Sequence, residues 1–100
     1  MQQQLLRAIL ATVARQTFST EYIVEKVAIG ADKVKQVNAY NLCDGSRSQA
    51  EIAKAVGLDA GNFSRTVSRW IDLGIVIKLG EARDIKLIHV YPIPTLKQDK

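Results

Sequence analysis

The chain has 100 residues, 47% of them apolar, one cysteine, and a net charge of +4 from 14 basic and 10 acidic side chains. That length suits one domain, the apolar share excludes a disordered tail, and the sign of the charge favours phosphate backbones. A lone Cys43 leaves no internal disulfide, no apolar run approaches the ~20 residues that span a bilayer, and no secretory leader pattern is visible, so a soluble, cytoplasmic protein is expected.

In chain order, residues 4–16 place Leu6, Ile9, Leu10 and Val13 on one helical face, with Arg7 and Arg15 outside it. Ser19 or Thr20 can cap a second helix over residues 21–28, which buries Ile23, Val24 and Val27. Asp32 is expected to cap a third over residues 33–43, ended by Asp44-Gly45. Val34 and Val37 of that helix face the core, but Asn38 and Asn41 sit on or beside the same face. A buried amide without partners costs ~1–3 kcal/mol, so either the two amides satisfy each other or the face meets a partner or a ligand.

Residues 48–74 read as two short helices joined by a tight turn. Ser48 with Glu51 three residues on forms a capping box, and Ile52, Ala53 and Val56 share the inner face. Gly57 supplies the left-handed exit, Leu58 plugs the turn, and Asp59 caps the next helix. There, Phe63, Val67, Trp70 and Ile71 form a buried stripe, and at about 100° per residue Arg65 points almost directly away from it. Gly61, Asn62, Ser64, Ser68, Arg69 and Asp72 also fall outside the stripe. A small, polar, basic face of this kind can lie in a DNA major groove, where Arg reads guanine and Asn reads adenine.

After Gly74 the period changes to two. Ile75, Ile77 and Leu79 alternate with Val76 and Lys78; beyond the loop from Gly80 to Asp84, Ile85, Leu87, His89 and Tyr91 alternate with Lys86, Ile88 and Val90. The second strand is apolar on both faces near its end, so one face needs cover from the N-terminal helices or a second subunit. Pro92 and Pro94 stop it, and a frayed tail is expected.

The set Gln49, Ala53, Gly57, Leu58, Phe63, Ser64, Arg65, Val67 and Gly74, followed by the hairpin IVIKL–GEARD–IKLIHVY, resembles the winged helix-turn-helix of MarR-type and ArsR-type transcriptional regulators. Phe63 and Thr66 stand where that family usually carries aliphatics, and the wing loop is short with one Arg. The resemblance covers roughly residues 31–91 and implies a mainly α fold with a small β-hairpin (α+β), a winged helix-turn-helix with extra N-terminal helices. The expected division is residues 1–30 for dimerisation or support, 31–91 for binding DNA, and 92–100 as tail.

The implied function is sequence-specific binding of double-stranded DNA by a transcriptional repressor, with residues 62–71 in the major groove and residues 75–91 as a wing. The expected DNA contacts are Ser48, Gln49, Gly61, Asn62, Ser64, Arg65, Ser68, Arg69 and Arg83. Arg65 and Arg69 have a plainer reading as solvated charges, with Asp72 able to hold Arg69; Ser48 and Gln49 can act as caps as well as phosphate donors. Arg83 can enter a minor groove or pair with Glu81 or Asp84. A homodimer through the N-terminal helices would match a palindromic operator. The rival reading is a winged-helix assembly module that binds protein rather than DNA.

No enzyme is expected: no phosphate loop, no metal-spaced Cys/His set and no cofactor motif is present, and the one histidine, His89, lacks a nucleophile and an orienting partner. His89 reads as a structural strand residue. Cys43 is either a redox switch or, near a helix C-terminus, a small buried thiol.

Overall fold

A computed structural model describes residues 2–80 and 85–95, with side chains from residue 4 onward. Among these residues five helices precede one antiparallel hairpin: α1 (Gln2–Thr17), α2 (Thr20–Val27), α3 (Lys33–Asn41), α4 (Gln49–Val56), α5 (Ala60–Leu73), β1 (Val76–Leu79) and β2 (Lys86–His89). The fold is therefore mainly helical with a small β element, the α+β class expected. Residues 81–84, which include Arg83, and residues 96–100 lie outside the described residues.

Local chemistry sets most boundaries. The Ser19 hydroxyl accepts from the Tyr22 amide and opens α2. Asp32 precedes α3 but makes no side-chain cap, contrary to expectation, and α3 ends at Asn41, short of Cys43. The chain leaves α5 through Gly74 at φ 82°, and the Ile75 amide then donates back to the Trp70 carbonyl at 3.1 Å. This left-handed exit, natural to glycine, aims the chain into the hairpin.

It also shifts the strand register of the side chains. Ile75 still belongs to the helix exit, so both Ile75 and Val76 are buried, while Ile77 is 36% exposed. The expected period of two is not met along β1, where Val76 is buried, Ile77 and Lys78 are exposed and Leu79 is half-buried. Val76 pairs with His89 and Leu79 with Lys86.

β2 has a neighbour on each side. Asp44 bridges Ile88 on the edge away from β1, the His89 amide donates to the Cys43 carbonyl at 2.6 Å, and the Gly45 amide donates to the Leu87 carbonyl at 2.8 Å. Leu87, Ile88, His89 and Val90 are all buried, so both faces of the strand are covered. The cover comes from the chain's own first helix. The Tyr91 hydroxyl donates to the Phe18 carbonyl at 2.7 Å, and the Arg15 guanidinium sits 4.4 Å from the centre of the Tyr91 ring.

α1 makes that contact with its small residues. Ala14 is buried and Ala11 packs on the core, whereas Leu5, Ile9 and Val13 are 63%, 51% and 58% exposed. Of the expected stripe, Ile9 and Val13 are exposed while Leu6 and Leu10 are half-buried. Arg15 adds a cation over the Tyr91 ring that an aliphatic could not supply.

One hydrophobic cluster joins Ala14, Ile23 and Val27 to Val37, Tyr40, Ile52, Phe63, Trp70, Leu87 and Ile93. Residues 1–30 thus share their core with the rest of the chain. At its centre Trp70 meets Tyr40 and Phe63 edge-to-face, with centroids 5.4 and 5.8 Å apart, and the Tyr40 hydroxyl donates to the Ile75 carbonyl at 3.0 Å.

The two asparagines of α3 resolve differently from either expectation. Asn38 is exposed. Asn41 donates from Nδ2 to the Ile93 carbonyl at 2.8 Å and accepts from the Ile93 amide at 2.9 Å. Ile93 lies between Pro92 and Pro94, neither of which has an N–H, so its amide is the one donor that stretch can offer. Asn41 acts as a stand-in strand and pins Ile93 into the core, which moves the start of the tail beyond residue 93.

Candidate nucleic-acid interface

The helix–turn–helix of α4 and α5 is built by its caps. Ser48 donates its amide to Glu51 Oε1 at 2.7 Å, and the Glu51 amide donates to Ser48 Oγ at 3.2 Å, completing the capping box. Gly57 ends α4 at φ 76°, the Leu58 amide returns to the Ala53 carbonyl at 2.9 Å, and Asp59 Oδ2 accepts from the Asn62 amide at 2.9 Å. Lys35 of α3 reaches the Gly57 carbonyl at 3.3 Å and ties the turn to the helix behind it. That lysine went unnoticed in the sequence, because its partner is a backbone atom 22 residues away.

α5 then divides cleanly. Phe63, Val67 and Trp70 are buried, while Gly61, Asn62, Ser64, Arg65, Ser68 and Arg69 are exposed. Arg65 donates through Nη2 to Asn62 Oδ1, so the two proposed readers hold each other one helical turn apart. The pairing preorganises both side chains on the outer face, and neither is committed to the core.

Arg69 departs from expectation. Its Nη2 donates to the Lys26 carbonyl at 3.3 Å, in the last turn of α2. It fills an orphan acceptor at a helix C-terminus rather than pairing with Asp72, and it stays exposed one turn on from Arg65.

Among the described residues the ion pair is Arg47 with Asp44, at 3.0 Å. Burial works to raise the Asp44 carboxyl, but hydrogen bonds from Ser46 and the charge of Arg47 outweigh it and hold the group below its usual range. Glu51 is also held low, first by the Ser48 hydrogen bonds and further by the charges of Lys86 and Arg47. Arg47 and Lys86 therefore stand on the same side as the start of α4. Asp32 and Asp59 line a small cleft of about 90 Å³ together with Asn62 and with Gly57, whose carbonyl accepts from Lys35.

Ser48 and Gln49 are brought to this basic edge, both half-buried, with the Ser48 hydroxyl and amide already used in the cap. Arg83 falls outside the described residues. Among the described residues no three His, Cys, Asp or Glu side chains come together as a metal site, and no helix is long and apolar enough to cross a membrane.

Cys43 and His89 are both buried in the core. The Cys43 thiol is fully buried, donates to the Ala39 carbonyl at 3.4 Å, and is pushed up to about 12 by burial and the nearby Asp44 charge. That places it far from a reactive thiolate at neutral pH. His89 stacks on Tyr40 and is held below the usual imidazole range by burial, opposed by its hydrogen bond to Tyr40 and reinforced by the charge of Arg7.

A base whose folded value is depressed contributes stability that is present above its unfolded value and lost as pH falls through the folded one. Thermal melts are accordingly expected to hold level near pH 7–8 and to shift downward below about pH 6.5, the ordinary imidazole value. Asp44 adds a second loss only near or below about pH 4. An NMR titration in which the His89 ring protonates at or above its ordinary value would overturn the first assignment.

Set against known families, characterised proteins and solved structures, the chain matches no family model, no curated protein and no solved structure.

Proposed function

We propose that this chain is a sequence-specific double-stranded DNA-binding regulator of transcription, acting in the cytoplasm as a repressor, of the winged helix-turn-helix kind. The observation that carries the reading is the outer face of α5. It presents Gly61, Asn62, Ser64, Arg65 and Ser68 to solvent, with Phe63, Val67 and Trp70 fixing the helix from beneath. Small residues let a helix approach base edges, and an Asn–Arg pair can donate to purines there. The order α3, the Asp44 bridge, α4, α5 and the β1–β2 hairpin supports a reading head followed by a wing. Selection of a binding site from random duplex DNA tests the proposal; failure to enrich any sequence would remove it.

Arg65→Ala is expected to weaken the selected site by ~1–3 kcal/mol and to relax preference at one base position, leaving the melting temperature unchanged. Binding to cognate and scrambled duplexes checks this. An equal loss on both would make Arg65 a phosphate contact.

The proposal includes a homodimer through α1, since a two-fold mate would supply the second reading head that a palindrome needs. Its support is the ridge of Leu5, Ile9 and Val13, spaced at i, i+4, i+8 and left outside. Deleting residues 1–30 would remove Ile23 and Val27 from the core, so Ile9→Glu is the cleaner probe. Sedimentation is expected to show a dimer for the native chain and a folded monomer for Ile9→Glu. A native monomer at micromolar concentration would sink the dimer.

The same ridge, with Ile77 of β1, is what favours the second reading, an assembly module that docks another protein. The two readings separate on duplex binding, because only the first requires it.

A further inference from the structure

α1 meets the end of β2 across a cleft of about 280 Å³, bordered by Arg7, Ala8, Ala11, His89 and Tyr91 among others. The helix is docked there lightly. Ala14 is buried and Ala11 half-buried against the core, while the larger Leu5, Ile9 and Val13 stay outside. Its last turn is tied by the Tyr91 hydroxyl to the Phe18 carbonyl and by Arg15 over the Tyr91 ring. A helix held through small side chains and one end can open before the core does.

His89 lies on the strand side of this junction and is 3% exposed. Its Nδ1 is 2.9 Å from the Tyr40 carbonyl oxygen. A carbonyl only accepts, so the ring proton sits on Nδ1 and Nε2 carries the lone pair. Nε2 is buried and meets no hydrogen-bond partner among the described residues. A neutral ring tolerates that. A second proton would instead place a cation and an unanswered N–H inside the protein.

The groups around the ring do little to accept that charge. From α1, Arg7 repels it. From α3, the Tyr40 carbonyl is already used and the Tyr40 hydroxyl is committed to Ile75. Past α3, burial keeps the Cys43 thiol protonated, and Asp44 attracts the charge but already holds Arg47. β1 places Val76 opposite His89, and along β2 the Tyr91 hydroxyl is taken by Phe18. Relief therefore requires an element to move. β1 is paired with the strand, the Cys43 carbonyl accepts from the His89 amide at 2.6 Å, and Tyr40 stacks on the ring from the centre of the core. α1 can leave without breaking the hairpin.

We propose that α1 is a pH-sensitive latch: protonation of His89 releases it from β2 while α3, α4, α5 and the hairpin stay folded. Release lets water reach the ring, and it frees the helix that carries the Leu5, Ile9 and Val13 ridge. The device does not depend on α5 reading DNA.

The test is amide exchange on the full chain between about pH 8 and pH 5, with each rate corrected for its intrinsic pH dependence. Residues 8–17 of α1 are compared with the α5 amides around Val67 and Trp70. α1 is expected to be the less protected helix throughout. Its protection should fall by up to roughly tenfold per pH unit below about 6.5, the ordinary imidazole value, because release returns the ring to water. That loss should vanish in His89→Gln, whose amide can still donate to the Tyr40 carbonyl, and in His89→Phe, which keeps a ring against Tyr40. An unchanged amide spectrum at pH 8 shows which of the two retains the fold. Equal protection of α1 and α5 at every pH would mean that α1 leaves only when the whole chain unfolds, and overturns the proposal. So does α1 protection that stays flat across the range in the native chain, or a loss that persists in a folded variant.

Discussion

Trp70→Ala is expected to cost ~3–5 kcal/mol of folding free energy, against a total of ~5–15 for a domain of this size. The side chain is fully buried where α3, α5 and the hairpin meet. It sits edge-to-face with both Tyr40 and Phe63, and each such pair adds ~0.5–1.5 kcal/mol beyond area burial. Tyr40 in turn stacks on His89 and holds the Ile75 carbonyl, so a hole at Trp70 loosens the root of β1 as well as the underside of α5. One term opposes the loss. Trp70 Nε1 is buried without a partner among the described residues, a penalty of ~1–3 kcal/mol that the indole already carries. Trp70→Phe removes that orphan donor while keeping a ring, and should therefore cost much less than Trp70→Ala. Urea unfolding of the three proteins checks the order. A Trp70→Ala cost below ~1.5 kcal/mol would mean that the site collapses around the gap and that Trp70 is not the keystone of the core.

The features legible in the sequence were those whose cause is local. The Ser48–Glu51 box, the Asp59 cap, the Gly57 and Gly74 exits and the Phe63–Val67–Trp70 stripe each depend on residues within one or two helical turns, and each is present as read. Features decided by tertiary choice were not legible. α1 carries both an aliphatic ridge and an alanine face, and periodicity alone does not say which one meets the strand. Asn41 looked like a buried polar liability because its partner, Ile93, is 52 residues away. The stretch Cys43-Asp44-Gly45 has no alternation, so its bridge to β2 left no period to detect.

The candidate site shows the same division. The outward direction of Arg65 follows from helix geometry alone. The capture of Arg69 by Lys26 spans 43 residues and could not be read from charge spacing within α5. What spacing offered there was Asp72, three residues on, and the more distant carbonyl prevailed. A helix C-terminus presents acceptors without internal partners, and an arginine within reach satisfies one at little desolvation cost.

Affinity for the selected duplex is expected to fall by roughly fortyfold per reading head between about 50 and 200 mM monovalent salt. The estimate rests on which cations are free to meet phosphate. Lys54 and Lys78 are exposed, and Lys86 is half-buried beside the start of α4, while Arg65 is assigned to the bases. Arg47 is discounted because Asp44 already neutralises it, and Arg69 because it is turned to α2. About three phosphate contacts give a log–log slope near −2.7, and a fourfold rise in salt then lowers affinity by ~40-fold. Two heads on one palindrome would roughly double the slope, so the measured value also reports on the dimer. Lys78→Gln should flatten the slope by about one unit with no change in preferred sequence, whereas Arg65→Ala should change the preference. A flat salt response, or no duplex binding even at low salt, would leave the polar face of α5 without a nucleic-acid role. It would shift the function to the exposed ridge of α1 and to a protein partner, because that ridge asks for apolar cover and is indifferent to counterions.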